Sequence, residues 1–350
     1  MGQTPRSESC LVLAIETSCD ETAVAVVDGG RRILSSVVAS QLDLHRQFGG
    51  VVPELASRKH VELLLPVLDQ ALREADLRLA DIDLVAATRG PGLVGALLVG
   101  LTAAKALALA LDRPFVGVNH LEGHLYANFL QSAGEKEDAP ILPLVCLIAS
   151  GGHTELVYMR AHGDLELLGQ TRDDAAGEAF DKVARELGLG YPGGPAISRL
   201  ARQGDPEALA FPRAYLEAGS LDFSFSGLKT HAVRLLTARR QGRLTFTDAD
   251  FCAGFQEAIV TVLVDKTLAA VQKTGVQQVL LAGGVVANWR LRQEFQRRTQ
   301  QAGLRLHAPA PWLCTDNAAM IAAAAYYAYH SGQRSSLALD ADPSLVVGVR

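Results

Sequence analysis

The run Asn119-His120-Leu121-Glu122-Gly123-His124 directly follows the apolar segment Phe115-Val116-Gly117-Val118. If it opens a helix, His120 and His124 stand one turn apart on one face, about 5–6 Å between Cβ atoms. Two imidazoles at that spacing suit one metal ion. Glu122 points away from them, so it is not a third ligand from the same turn. In H-E-x-x-H metalloproteases the glutamate adjoins the first histidine and serves as general base. Here it sits two residues on, and that mechanism does not transfer. The plainer alternative is two ordinary polar histidines near a helix start. A metal needs a third ligand from elsewhere. Asp316, in the turn Cys314-Thr315-Asp316-Asn317 before an alanine-rich helix, is the candidate. An aspartate there also reads as a plain helix N-cap.

Glycine-rich turns supply a second kind of chemistry. Gly90-Pro91-Gly92-Leu93-Val94-Gly95 matches G-x-G-x-x-G between a strand and a helix. A dinucleotide fold would follow it with a strand ending in an acidic ribose ligand. The next strand here ends in Asn119-His120, so close packing of the turn is expected instead. Ser150-Gly151-Gly152-His153-Thr154 and Gly283-Gly284-Val285-Val286-Ala287-Asn288 also let backbone N–H groups approach a phosphate or carboxylate. No G-x-x-x-x-G-K-[ST] occurs, which excludes a Walker P-loop. Asp173, Asp174, Glu178 and Asp181 crowd one helix start. Asp181 either pairs with Arg185 on the surface or faces a ligand's hydroxyls. Residues 229–243 carry Lys229, Arg234, Arg239, Arg240 and Arg243 with no acid. Residues 289–298 add Arg290, Arg292, Arg297 and Arg298 against one glutamate. These clusters are either a phosphate-contact face or solvated helix surface.

Two similar hairpins position these groups. LVLAIETSCDETAVAVVDGG opens at residue 11 and LVCLIASGGHTELVYMRAHG at residue 144. Each has two apolar strands flanking a polar turn, and each opens a lobe. The first lobe is expected over 11–131 plus 318–332, the second over 140–317, with a junction in the polar segment 132–140 and a tail at 333–350. Helices are expected over Glu54–Ala75 (interrupted at Pro66), Gly95–Leu111, His120–Leu130, Asp174–Leu187, 248–274, Asn288–Gln301 and Ala318–His330.

The chain has 350 residues, 49% apolar and 20% charged, with 32 Gly and a net charge of −5. That is enough material for about two α/β domains and excludes a disordered chain. The acidic balance disfavours a protein that coats nucleic acid nonspecifically. Five scattered cysteines form no C-x-x-C, so neither a disulfide framework nor a cysteine zinc site is indicated. The polar start MGQTPRSESC lacks a signal-peptide core and, with Arg6, the myristoylation pattern. Leu93–Leu111 is apolar but contains Lys105, and is expected as a buried core helix with no membrane role.

In one order along residues 11–330, the chain carries ETSCDET (16–22), GGVVPELASRKH (49–60), GPGLVG, NHLEGH, SGGHTEL (150–156) and DDAAGEAFDK (173–182). YPGGP (191–195), FSFSGLKT (223–230), GGVVAN and CTDNAAM (314–320) follow. This set resembles the TsaD family, the tRNA adenosine threonylcarbamoyltransferases. The resemblance implies two ribonuclease-H-like lobes around a cleft, as in the actin-like ATPase, Hsp70 and sugar-kinase superfamily. It implies one divalent metal, iron or else zinc, on His120, His124 and Asp316. It implies an adenylate pocket from Ile148, Ala149, Ser150, Gly151, Gly152, Asp181, Gly194 and Asn288. Archaeal and eukaryotic relatives carry Tyr at Ile148 and Asn at His153, so the chain resembles the bacterial branch.

The implied reaction moves the threonylcarbamoyl group from threonylcarbamoyl-adenylate to N6 of adenosine 37 in tRNAs reading codons that begin with A. The implied partners are tRNA, a TsaB-like paralogue and a TsaE-like ATPase, in the cytoplasm. Glu16, Asp20 and Glu21 are candidates for accepting the amine's proton. Two other readings stand beside this one: a metal-dependent endopeptidase, which should depend on Glu122, and a nucleotide-driven chaperone or kinase, which has no need of paired histidines.

Overall fold

The computed structural model describes residues 10–131 and 139–349, arranged as two units. The N-terminal residues 1–9 and most of the expected junction, 132–138, lie outside the described residues. Within the described residues the first unit takes 10–45, 51–131, 139 and 315–349, and the second takes 46–50 and 140–314.

In the first unit, β1 (Leu11–Glu16) and β2 (Glu21–Asp28) are continuous apolar runs because both faces of their sheet are covered. β3 (Arg32–Ser40) is the mixed-polarity edge. With β4 (Leu84–Gly90) and β5 (Phe115–Asn119) the order is β3-β2-β1-β4-β5. The hairpin strands pair antiparallel, and β4 and β5 run parallel to β1. A one-turn helix, α1 (Leu42–Arg46), ends the hairpin region. α2 (Pro53–Ala75) and α3 (Val94–Leu111) cover one face through Leu64, Leu68, Leu101 and Ala104, packed on Leu13, Ile15, Val24 and Val26. The other face takes α4 (His120–Tyr126) and α10 (Ala318–His330), whose Tyr126 and Tyr327 rings stack with centroids 5.1 Å apart.

Three expectations change here. α2 runs unbroken through Pro66, because the missing N–H falls on the exposed side of the helix, where Glu62 also faces water. α3, long and apolar enough to cross a membrane, keeps to its expected reading as a core helix by burying Ala96, Leu97, Leu101 and Ala104. Residues 333–349 are no tail but a strap on the first unit. Ser335 N donates to Phe115 O, Asp342 N to Arg89 O and Gly92 N to Pro343 O, and Leu345 and Val347 are buried. Correspondingly, residues 315–317, expected in the second lobe, belong to the first unit with the helix they introduce.

In the second unit β6 (Leu144–Ala149), β7 (Thr154–Ala161), β8 (Asp164–Gln170), β9 (Gln278–Ala282) and β10 (Arg305–His307) repeat the pattern, in the order β8-β7-β6-β9-β10. Two units thus share the expected ribonuclease-H-like topology. α5 (Ala176–Glu186), α6 (Gly193–Ala201), α7 (Ser226–Arg240) and α8 (Asp248–Thr274) share a core with Val145, Leu147 and Leu156, rich in phenylalanine at 180, 223, 225, 251 and 255. The length of α8 is bounded by local signals. Thr247 caps it by accepting from Asp250 N at 3.0 Å, and Gly275 ends it in the left-handed conformation. α9 (Trp289–Gln301) precedes β10.

Candidate metal centre

α4 begins where Asn119 caps it, its side-chain oxygen accepting from Leu121 N at 2.9 Å and Glu122 N at 3.4 Å. The helix therefore starts at His120, and His120 and His124 share a face as their spacing required, with ring centroids 4.7 Å apart. Both are buried. Asp316 Oδ1 lies 3.5 Å from His120 Nε2 and 3.2 Å from His124 Nε2. The three ligand atoms lie within 4.8 Å of one another. Asp316 is not the cap of α10. Asn317 takes that role, accepting from Met320 N at 3.0 Å, which leaves the aspartate free to face the histidines. Glu122 faces elsewhere, where Gly348 N donates to it.

Behind the histidines stands Glu16, fully buried at the end of β1. Its Oε2 is 3.0 Å from His120 Nδ1 and 2.5 Å from Thr88 Oγ1, and its Oε1 accepts from Ser18 N at 2.5 Å. Ser18 Oγ also approaches His120 Nδ1, at 3.2 Å. Burial would lower the His120 pKa, but Asp316 and then Glu16 hold it well above the usual imidazole range. Burial would raise Asp316, but His120 foremost holds it well below the usual carboxylate range. His124 is lowered, chiefly by burial. Two imidazole nitrogens and a carboxylate, with a carboxylate on the far ring nitrogen of one histidine, form a donor set that fits a divalent metal ion.

The turn between β1 and β2 is held from α2. His60, fully buried, accepts at Nδ1 from Thr22 Oγ1 (2.8 Å) and Gln41 Nε2 (3.3 Å), so its Nε2–H donates to Cys19 O at 2.9 Å. Gly92 packs against the same turn. A Cβ there would meet Ser18 O at 2.6 Å, and Leu93 N donates to that oxygen at 2.8 Å. G-x-G-x-x-G is thus a packing device, as expected. Burial raises Asp20, and pushes Glu21 up to about 7; the Asp316 carboxylate adds to both. Sequence reading proposed Glu16 only as a proton acceptor and passed over Ser18, Thr88 and His60. The polar run Thr17–Thr22 between two apolar strands could have found Ser18; Thr88 and His60 lie on other elements and carry no such signal.

In the second unit the turn residues expected around an adenylate lie against one another. Ile148 and Ala149 end β6 and are fully buried. Ser150 O accepts from Gly177 N at 3.2 Å at the start of α5. Gly283 has φ 90°, and a Cβ there would meet Ala149 O at 2.5 Å, so only glycine lets the end of β9 reach the end of β6. Gly151 and Gly152 are exposed. Asp181 does not pair simply on the surface. Its Oδ1 accepts from Gly193 N at 2.7 Å, Gly194 N also donates to it, and burial raises its pKa. It lines a cavity of about 270 Å³ with Arg46, Gly49, Arg185, Gly188, Gly190 and Tyr191. Asn288 has both side-chain ends engaged, capping α9 at Arg290 N and Leu291 N and donating to Gln256 at 2.7 Å.

Most of the basic residues meet acids from other elements. Lys229 pairs with Asp174, Arg239 with Asp248, Arg240 with Glu186 and Arg298 with Asp265, while Arg297 pairs with Glu294 of its own helix. Arg290 grips Glu257 through two bonds of 2.7 and 2.8 Å. Arg292 donates to the carbonyls of Val286 and Pro309. The arginines of the 289–298 cluster are therefore engaged by partners within the second unit.

Fold and site together define a two-unit α/β protein with a buried paired-histidine cluster whose donor set fits a metal ion. Comparison with known proteins narrows this. Residues 32–323 match the family model for tRNA N6-adenosine threonylcarbamoyltransferase. The enzyme of that name from Symbiobacterium thermophilum is 59% identical over 340 residues, covering 97% of both chains. Its counterpart from Clostridium kluyveri is 52% identical, covering 97% of this chain and 98% of that one. Full-length HypF in its phosphate- and nucleotide-bound form superposes with a TM-score of 0.61 at 13% identity, over 92% of this chain and 46% of HypF, a likeness of fold alone. The chain belongs to the TsaD family of tRNA N6-adenosine threonylcarbamoyltransferases.

Proposed function

We propose that this chain is the acyltransferase that moves the threonylcarbamoyl group from threonylcarbamoyl-adenylate to N6 of adenosine 37 in tRNAs reading codons that begin with A. The observation that carries the reading is the convergence of His120 Nε2 and His124 Nε2 on Asp316 Oδ1. When bound there, a divalent ion, iron or alternatively zinc, supplies Lewis-acid polarisation of the acyl carbonyl. Glu16 and Ser18 hold the His120 ring from behind, which keeps Nε2 directed at the centre. Glu16 spends its oxygens on Ser18, Thr88 and His120, so Asp20 and Glu21 are the carboxyls left to take the amine's proton. Glu21, near 7, is suited to that role.

In the second unit, Asp181, held in place by Gly193 N and Gly194 N, accepts ribose hydroxyls, while the N–H groups of Gly151 and Gly152 beside Ser150 hold phosphate. Ile148 and Ala149 form the floor, and Asn288 holds the start of α9 in place. Binding of this kind supplies much of the rate, because an adenine amine is a poor nucleophile. A TsaB-like paralogue and a TsaE-like ATPase complete the system in the cytoplasm. The exposed Val61 and Leu65 of α2 and Val94 and Leu98 of α3 offer an apolar face for the first of these. The endopeptidase reading is not favoured, because Glu122 faces Gly348 and not the histidines. The test incubates the chain with threonylcarbamoyl-adenylate, both partners and unmodified tRNA, then analyses nucleosides by mass spectrometry. Threonylcarbamoyladenosine is expected, and its absence from a fully metallated mixture sinks the proposal.

A further inference from the structure

Lys229, Arg239, Arg240, Arg290, Arg297 and Arg298 each have a carboxylate partner. Arg234 and Arg243 differ. No ion pair is found for either among the described residues, and Arg243 is hydrogen-bonded to the neutral Gln241. Both line one depression of about 490 Å³ on the outer side of α7, with His231, Val233, Leu235, Thr237 and Ala238. The lining contains no carboxylate. His231 Nε2 lies 3.2 Å from the Ala210 carbonyl oxygen and so donates to it.

An acidic chain that neutralises most of its clustered cations, yet leaves two of them around one apolar-floored hollow, presents a site for a polyanion with apolar parts. RNA has that chemistry: phosphates for the guanidinium groups, and the apolar edges of ribose for Val233, Leu235 and Ala238. We infer that the Arg234–Arg243 depression is a tRNA-binding surface, taking a backbone segment of the substrate. The inference rests on the proposed function only for the identity of the RNA. Neither arginine belongs to the metal centre or to the adenylate pocket, so the surface adds affinity and orientation without taking part in chemistry. Removing one arginine from a phosphate lowers the salt dependence of binding by roughly 0.7–0.9 in log–log slope. Removing both should lower it by roughly 1.4–1.8.

The experiment titrates fluorescently labelled unmodified tRNA with the full chain in its assembled complex, from low to high salt. It compares wild type, Arg234→Ala/Arg243→Ala, and the charge-matched control Arg239→Ala/Arg240→Ala, whose arginines are held by Asp248 and Glu186. The expected result is a flattened slope for the first variant and a near-wild-type slope for the control. Metal content and adenylate affinity should be unchanged in both, which also shows that both fold. Arg234→Lys/Arg243→Lys should restore the slope. An unchanged slope in the alanine variant overturns the inference, as does an equal loss in the control. If the alanine variant instead loses only assembly with an acidic partner protein, measured by sedimentation, the surface docks protein and the RNA assignment falls. A wild-type complex that modifies no tRNA at all would count against the proposed function, an outcome separate from any change of slope.

Discussion

Glu16→Gln isolates what the buried carboxylate does for the metal centre. The glutamate accepts from Ser18 N, Thr88 Oγ1 and His120 Nδ1. A glutamine of the same shape has one acceptor oxygen and one donor amide. The Ser18 N–H is backbone and cannot turn, so the glutamine oxygen must face it. The amide then faces Thr88 and His120. The threonine hydroxyl can rotate to accept, but His120 Nδ1 must become an acceptor too. Its proton moves to Nε2, the nitrogen aimed at Asp316, and the lone pair a metal needs is gone. Loss of such an orienting partner costs about 10–100-fold in metal affinity, or ~1.4–2.7 kcal/mol. Glu16→Ala instead leaves three buried donors without this partner, at about 1–3 kcal/mol for each that finds no other, and should lower stability as well. Calorimetric titration of metal-stripped protein with Zn²⁺ measures the first effect, and thermal unfolding the second. The reasoning is refuted if Glu16→Gln binds Zn²⁺ within twofold of wild type.

Asp316→Asn should abolish metal binding while Asn317→Ala retains it and loses about 1 kcal/mol of stability, since Asn317 is the cap of α10; elemental analysis and melting distinguish them. Asp181→Asn keeps an oxygen for Gly193 N but removes the charge offered to ribose hydroxyls, so adenylate affinity by calorimetry should fall about tenfold, and an unchanged value rules Asp181 out as a ligand. Burial pushes Glu155 up to about 7 from the usual 4.5. The folded state therefore holds the proton more tightly, and the stability this group supports is fully present below 4.5 and lost as pH rises through 7. Glu155→Gln should remove that slope and gain about 3 kcal/mol over wild type at pH 8, read from melts at pH 5 and pH 8.

What could be read in the sequence was local. The histidine pair is legible because i,i+4 on a helix needs no knowledge of the rest of the fold. Asp316 was ambiguous because ligand and cap are both ordinary roles for an aspartate before a helix. The cap reading falls only because its neighbour Asn317 makes the cap. The two hairpins foretold two similar sheets, and the pairing registers bear this out. The basic clusters stayed open because a run of arginines shows its charge but not its partners. Glu257 lies 33 residues from Arg290 and Asp265 sits a helix away from Arg298. Glu16 likewise gives no sign that its partners are Thr88, 72 residues on, and His120, 104 residues on. Pro66 read as a break because the sequence does not say which side of a helix faces water.

The first unit is discontinuous, and the chain is made in one direction. Residues 140–314 leave the ribosome as a contiguous stretch and can fold as they emerge, at about 5–20 residues per second. The unit begun earlier must wait. Until residues 315–349 follow, its sheet lacks the cover of α10, the β4 turn lacks the strap that grips Arg89 and Gly92, and the two histidines lack their aspartate. A ribosome-bound intermediate would therefore hold a finished second unit and an open first one, with apolar β1 and β2 waiting for a helix not yet made. The order of synthesis thus makes the His120–His124–Asp316 cluster one of the last parts of the molecule that can be completed.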